Sequence, residues 1–285
     1  MSTVLESSDR TIRREARRTP AQTIIHMRRR RFLEVALAIL VPGTLLLAWE
    51  FSSRMQWIDA TAYPAPSRII QASQTLIESG ELQTHTLATL RRILSGYGLG
   101  VFAGLFVGAL MGSSRLTRKA LEPVLSALYV VPKLALLPIF LTVFGFSDVS
   151  KIAIVTVSVF FYIWIQTMES VWSVPVGFRE AGRSLGVNKM VMLWHVTRPY
   201  ALPQVFVAMR MGMVAAVLVT VAAEFVSGNT GLGYLIFHSR ALFLMERTYV
   251  GIVAVSLLGM ILTWIVVAVG RFLTPWAEQP GKAIE

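Results

Sequence analysis

The chain has 285 residues, of which 54% are hydrophobic and only 15% charged, whereas a soluble domain carries about a quarter charged residues. An ordinary soluble enzyme or binding domain is therefore excluded first, and an integral membrane protein is the class that fits. Cysteine is absent and the four histidines (His26, His85, His195, His238) fall in separate segments, so disulfides, thiolate sites and a histidine metal site have no basis; no metal, cofactor or catalytic residue is expected.

Crossing the hydrocarbon core takes about 20 apolar residues per helix. Six stretches meet that length: 32–49, 93–112, 121–144, 152–170, 204–227 and 248–270. Six crossings put both termini on one side, and Lys and Arg on short flanks mark the cytoplasm. With the N-terminus inside, inner segments hold 18 Lys and Arg and outer segments seven (Arg54, Arg68, Arg91, Arg92, Lys151, Arg240, Arg247). The expectation is an all-α integral membrane protein with six transmembrane helices, N-terminus and C-terminus in, and a polar cytoplasmic hairpin. Its parts are an Arg-rich arm (1–31), a transmembrane domain (32–275) holding the hairpin (173–203), and a tail (276–285). The net charge of +11 then reflects topology and attraction to anionic lipid rather than nucleic-acid binding.

In chain order, the first span follows "RRRFLE" (29–34). A twin arginine before an apolar run is also the pattern of an export signal, but no small-residue cleavage site follows, so it reads as a membrane span. The outer segment contains "YPAPS", where each proline pushes its predecessor out of helical geometry. Ser67 can cap a short helix with Ile69, Ile70, Ser73, Leu76 and Ile77 on one face, ending at Gly80. That helix either meets a delivering protein or lies on the membrane surface. The second span carries glycine at every fourth position from Gly96 to Gly112; such a groove lets another backbone approach and reads as packing within one subunit ahead of a dimer interface.

The third span holds Pro132 and Pro138, each of which removes a backbone hydrogen bond, so the helix must bend or break there. Lys133 lies between them. An ionisable group inside a span is a functional candidate, with structural pairing the competing reading. Glu224, near the outer end of the fifth span, is a second candidate for the translocation pathway, and a glycine-rich loop, "SGNTGLGYL" (227–235), follows it.

The hairpin "REAGRSLGVNKMVMLWHVTRP" (179–199) lies between the fourth and fifth spans. Residues 179–185 make about two helical turns, Gly186 is placed to end them in a left-handed conformation, and Asn188 can cap a second helix running to Arg198 before Pro199. Gly177, Gly182, Arg183 and Ser184 have the spacing of a phosphate loop with arginine for lysine. That loop needs a strand before it and an α/β domain around it, and neither fits between two spans.

Glu180-Ala181-Gly182, three residues, Gly186, nine residues, Val196, one residue, Arg198-Pro199 resembles the cytoplasmic signature of binding-protein-dependent ABC importer permeases, E-A-A-x3-G-x9-I-x-L-P. It departs at Gly182, Val196 and Arg198. "YPAPSRII", "TLATLRRILSGYGLG", "VVPKLALLPIFLTVFGFSDVSK", "RPYALPQVFVAMRMGM", "AAEF" and "GLGYLI" resemble the nitrate/sulfonate/taurine branch, and the similarity spans about 63–275. The resemblance implies a non-catalytic permease subunit in the inner (plasma) membrane, forming the pathway for a small anionic solute. Implied partners are cytoplasmic ABC ATPase subunits, a periplasmic solute-binding protein and a second permease copy in a homodimer. The hairpin would be the coupling helix, with Arg179, Glu180, Ala181, Gly182, Arg183, Leu185, Gly186, Val187 and Pro199 as its contact residues. A stand-alone secondary transporter or channel is the alternative; it would place several ionisable groups at mid-membrane and show an inverted repeat, and neither is evident.

Overall fold

A computed structural model of the chain describes residues 20–277, with side chains from Leu33 onward except that of Lys189. Most of the Arg-rich arm and nearly all of the tail lie outside the described residues. Every regular element among those described is a helix, and the chain divides at Ser67/Arg68 into two compact units.

The first unit contains α1 (Pro20–Arg54) and the turn region after it. Leu33–Arg54 is long and apolar enough to cross a membrane. Beyond it, the Thr61 hydroxyl and amide bond to Asp59 and hold its carboxyl below the ordinary carboxylate range. Glu50 accepts from the amide of Ser67 at 3.0 Å and from its hydroxyl at 2.8 Å. Ser67 was expected to cap α2 (Pro66–Glu78) from outside; instead the helix already begins at Pro66 and includes Ser67, because proline is pre-set for a first helical position, and Glu50 serves the first-turn amide.

In the second unit, α3 (Glu81–Ser113) and α6 (Asp148–Trp172) form the central seam. The glycine stripe of α3 faces a stripe of β-branched and threonine side chains on α6. A Cβ on Gly96, Gly100, Gly104, Gly108 or Gly112 would stand 2.6–2.7 Å from the Cβ of Val155, Val159, Ile163, Thr167 or Val171 respectively. Both stripes repeat every four residues, so one register serves five successive turns over about 24 Å. The glycines thus pack within one subunit, as the sequence suggests. α9 (Arg198–Ser227) packs beside the seam and closes one core with it, burying Ala208, Met213, Ala216 and Val217 with Ile154, Val155, Val159 and Ile163.

The third expected crossing is broken. α4 (Arg115–Val130) ends where Val131 and Pro132 are extended. A single 3₁₀ turn (Lys133–Leu136) leads into α5 (Leu137–Phe144), and the two arms meet at 90°. Pro132 supplies no amide and forces its predecessor out of the helix. Pro138, by contrast, sits in the first turn of α5, where a missing amide costs nothing. With this bent pair counted once, six helices or helix pairs among the described residues are long and apolar enough to span a membrane.

The hairpin comprises α7 (Val176–Ser184) and a second arm that runs through the short α8 (Lys189–Met192) and a π turn (Leu193–Thr197) into α9. The second arm was expected to stop before Pro199. It continues unbroken from Met190 to Ser227, because Pro199 falls in the first turn of α9, directly after the wider π segment, a position proline tolerates. After α9 come the glycine-rich loop, α10 (Leu232–Ala241) and α11 (Met245–Leu273).

Candidate functional site

The tip of the hairpin is built by local hydrogen bonding. Leu185 ends α7, the Gly186 amide donates to Arg183 O at 3.0 Å, and the Val187 amide donates to Gly182 O at 3.0 Å. These two bonds form a complete Schellman motif. Gly186 has φ +70°, a conformation that costs a side-chain-bearing residue energy. Asn188 Oδ1 accepts from the Val191 amide at 2.8 Å and so caps the second arm as expected. The residues of the phosphate-loop spacing lie in helix α7, so no loop is present to cradle a phosphate.

The nine hairpin residues do not all face outward. Glu180, Ala181, Arg183 and Gly186 are exposed, and Leu185 is 82% exposed at the tip. Arg179 instead turns back and donates to Val171 O at 2.8 Å and Trp172 O at 3.3 Å. It satisfies terminal carbonyls of α6 and fixes the angle at which α7 leaves the span. Val187 is half-buried, and so is Pro199, whose carbonyl accepts from Trp276 Nε1 at 3.1 Å. Gly182 is buried against Met192: a Cβ there would lie 2.2 Å from Met192 Cε. The methionine methyl fills the space beside the glycine, and an alanine there would require that flexible side chain to turn aside.

Of the pathway candidates, Pro132 creates the break described above, and Pro138 lies beyond it in the first turn of α5. Lys133 Nζ donates to Leu128 O at 3.3 Å, to Tyr129 O, and to Val131 O at 2.8 Å, and lies 4.5 Å from the Phe161 ring centroid. All three ammonium donors are engaged at the carbonyl end of α4, so the geometry is that of a helix cap on a broken span.

Glu224 is fully enclosed, with a side-chain exposure of 0%, so no solute reaches it in this conformation. It is the hub of a network that sequence reasoning did not assemble. Arg92 Nη1 donates to Glu224 Oε1 at 2.7 Å and to Thr230 O at 2.7 Å, Nη2 donates to Thr230 Oγ1 at 2.8 Å, and Nε donates to Asp148 Oδ1 at 2.8 Å. The Thr89 hydroxyl meets both Glu224 oxygens at 2.9 and 3.0 Å and accepts from the Leu232 amide at 2.7 Å. The Gly233 amide donates to Glu224 Oε2 at 2.8 Å, and the Gly231 amide to His85 Nδ1 at 3.0 Å. Accepting at Nδ1 leaves the His85 proton on Nε2. Lys151, 1% exposed, stands 3.9 Å from Asp148, so two cations balance two carboxylates.

This network ties α3, the start of α6 and the end of α9 to the glycine-rich loop. It also explains the loop's composition. Gly231 has φ +114°, and a Cβ on it would stand 2.4 Å from the Glu224 carboxylate; one on Gly233 would stand 2.6 Å from Val221 O. Arg92 and Lys151 were counted as outer flank charges and are buried instead. A usable signal existed: each lies four residues before the first member of its seam stripe, Gly96 and Val155. The network aligns charges and holds a loop. It offers no nucleophile or open ligand set, and no group of metal-binding side chains occurs among the described residues.

Comparison with known proteins agrees with this architecture. Residues 99–275 match the family model described as binding-protein-dependent transport system inner membrane component. The chain is 31% identical over 241 residues to the putative aliphatic sulfonates transport permease protein SsuC of Bacillus subtilis, covering 85% of this chain and 87% of the relative. It is 29% identical over 248 residues to the taurine transport system permease protein TauC of Escherichia coli, covering 85% and 90%. Among solved structures, an amino acid ABC transporter with histidines superposes with a TM-score of 0.56 at 17% identity, over 72% of this chain and 97% of that one, a likeness of fold. The chain therefore belongs to the binding-protein-dependent transport system inner membrane components, the permease subunits of ABC importers.

Proposed function

We propose that this permease forms the pathway for a small sulfonate-like anion, which a periplasmic binding protein delivers and paired ABC ATPases drive across the inner membrane. The permease acts as a homodimer with both termini in the cytoplasm. The sulfonate and taurine permeases among its relatives support the solute class. The charge asymmetry supports the orientation, and moving the buried Arg92 and Lys151 out of the outer count leaves five Lys and Arg there against 18 inside. The solute itself contacts neither Glu224, which is enclosed, nor Lys133, whose donors are engaged; these two shape the pathway rather than line it.

The single observation carrying the coupling role is the hairpin. An exposed Glu180 and an 82%-exposed Leu185 project from a tip locked by the Schellman motif, and the second arm continues as one helix into α9. Displacement of the tip by a closing ATPase dimer is therefore delivered to a membrane helix without a hinge, a rigid-body transmission. Glu180 pairs with a basic group on the ATPase and Leu185 fills an apolar pocket beside it, while Arg179 holds the lever at its angle. Glu180→Lys and Gly186→Pro are expected to reduce ATP-driven uptake at least tenfold while membrane abundance stays within twofold of the parent. Uptake by both variants at the parent rate, or uptake by the purified chain in liposomes without ATPase and ATP, overturns this reading.

A further inference from the structure

Two arginines play no part in the sites above. Arg210 lies within the membrane-crossing part of α9, and Arg271 in the last turn of α11. Both are exposed, and both line one groove of about 570 Å³ between these helices. Neither has a hydrogen-bond or ion-pair partner among the described residues, and no carboxylate lines the groove. A guanidinium in a membrane span without a counter-charge is costly, so such groups face water or an anion.

The helix register brings the two charges together. α9 and α11 run antiparallel, since Phe206 packs at Gly270 and Val217 at Gly259. Arg210 therefore lies one turn past the Gly270 level and Arg271 just before it. Side chains lean toward the N-terminus of their own helix, which inclines each arginine toward the level of the other. From this charged end the groove runs toward Val255 for about 24 Å, lined by Val214, Leu218, Gly259, Met260 and Trp264. Leu218, Met260 and Trp264 are 62–68% exposed, so the trough opens sideways, away from the packed seam.

We infer that this groove binds an acidic phospholipid, its phosphate held between Arg210 and Arg271 and one acyl chain lying in the apolar trough. Basic pockets between membrane helices take anionic headgroups in this way. A small hydrophilic anion would satisfy the arginines but leave the trough unfilled.

The chain has no native cysteine, so Met260→Cys carries one bimane label in the assembled transporter. Reconstituted vesicles contain brominated phosphatidylglycerol or brominated phosphatidylcholine at equal mole fraction. The expected result is at least twofold stronger quenching by the phosphatidylglycerol. That preference falls to parity in Arg210→Gln/Arg271→Gln. Arg271→Gln alone, at an exposed helix end, lowers it without risk to the fold. Equal quenching by both lipids, an unchanged preference in the variants, or loss of the preference on adding ethanesulfonate overturns the inference. Absence of quenching by either lipid also overturns it. The readout is lipid contact, so it is independent of whether uptake is driven by ATP.

Discussion

Replacing Arg92 by methionine is expected to destabilise the chain by about 3–5 kcal/mol, the range for removing one partner of a buried ion pair. The loss leaves Glu224 enclosed with no cation, and it frees Thr230 and the glycine-rich loop at the same time. Asp148 suffers less, because its side chain is 45% exposed and water can replace the bond. Adding Glu224→Gln should recover part of the cost, since a neutral amide still meets Thr89 and the Gly233 amide without demanding a counter-charge. Arg92→Lys should fall between, because a single ammonium cannot span Asp148, Glu224 and Thr230 as the planar guanidinium does. Thermal unfolding in detergent, followed by size-exclusion fluorescence, ranks these variants. An Arg92→Met protein as stable as the parent, or a double variant less stable than either single one, would contradict the pairing.

The second large effect is expected along the seam. In Gly104→Ala the new methyl would lie 2.7 Å from Ile163 Cβ and 2.9 Å from Phe160 O. Neither atom can swing aside, so the helices must part; overpacking of this kind costs about 1–3 kcal/mol or more. Gly98→Ala, six residues away on the exposed side with nothing within 4 Å, should be neutral or gain up to about 1 kcal/mol in helix propensity. Truncating Ile163 to alanine should not rescue Gly104→Ala, since the Cβ and the carbonyl both remain. The same unfolding measurement decides it: equal behaviour of the Gly98 and Gly104 variants, or rescue by Ile163→Ala, would show that the seam is looser than its register indicates.

Much of this was legible before any coordinates. Long apolar stretches, the Gly186 turn, the Asn188 cap and the break at Pro132 all follow from local rules, because hydropathy, backbone conformation and a missing amide act within a few residues of their source. The four-residue glycine stripe likewise announced close packing on its own helix. Which helix it met, and that Val155, Val159, Ile163, Thr167 and Val171 carry the matching repeat, required the fold.

The polar residues were the harder part. Lys133 and Glu224 could each be singled out as ionisable groups within spans, but the local sequence does not show a partner. Lys133 finds three carbonyls only because the helix breaks and folds its end back. Glu224 meets Arg92 from 132 positions away, and Arg92 looked like a flank charge because α3 begins well before its apolar run. Pro199 was read as a stop, and only the π turn shows how the helix passes it. The sequence by itself determined which segments enter the membrane and where the backbone turns, since those depend on near neighbours. Only the tertiary structure decided which charges are buried and what neutralises them, since pairing depends on helices that meet across more than a hundred residues of chain.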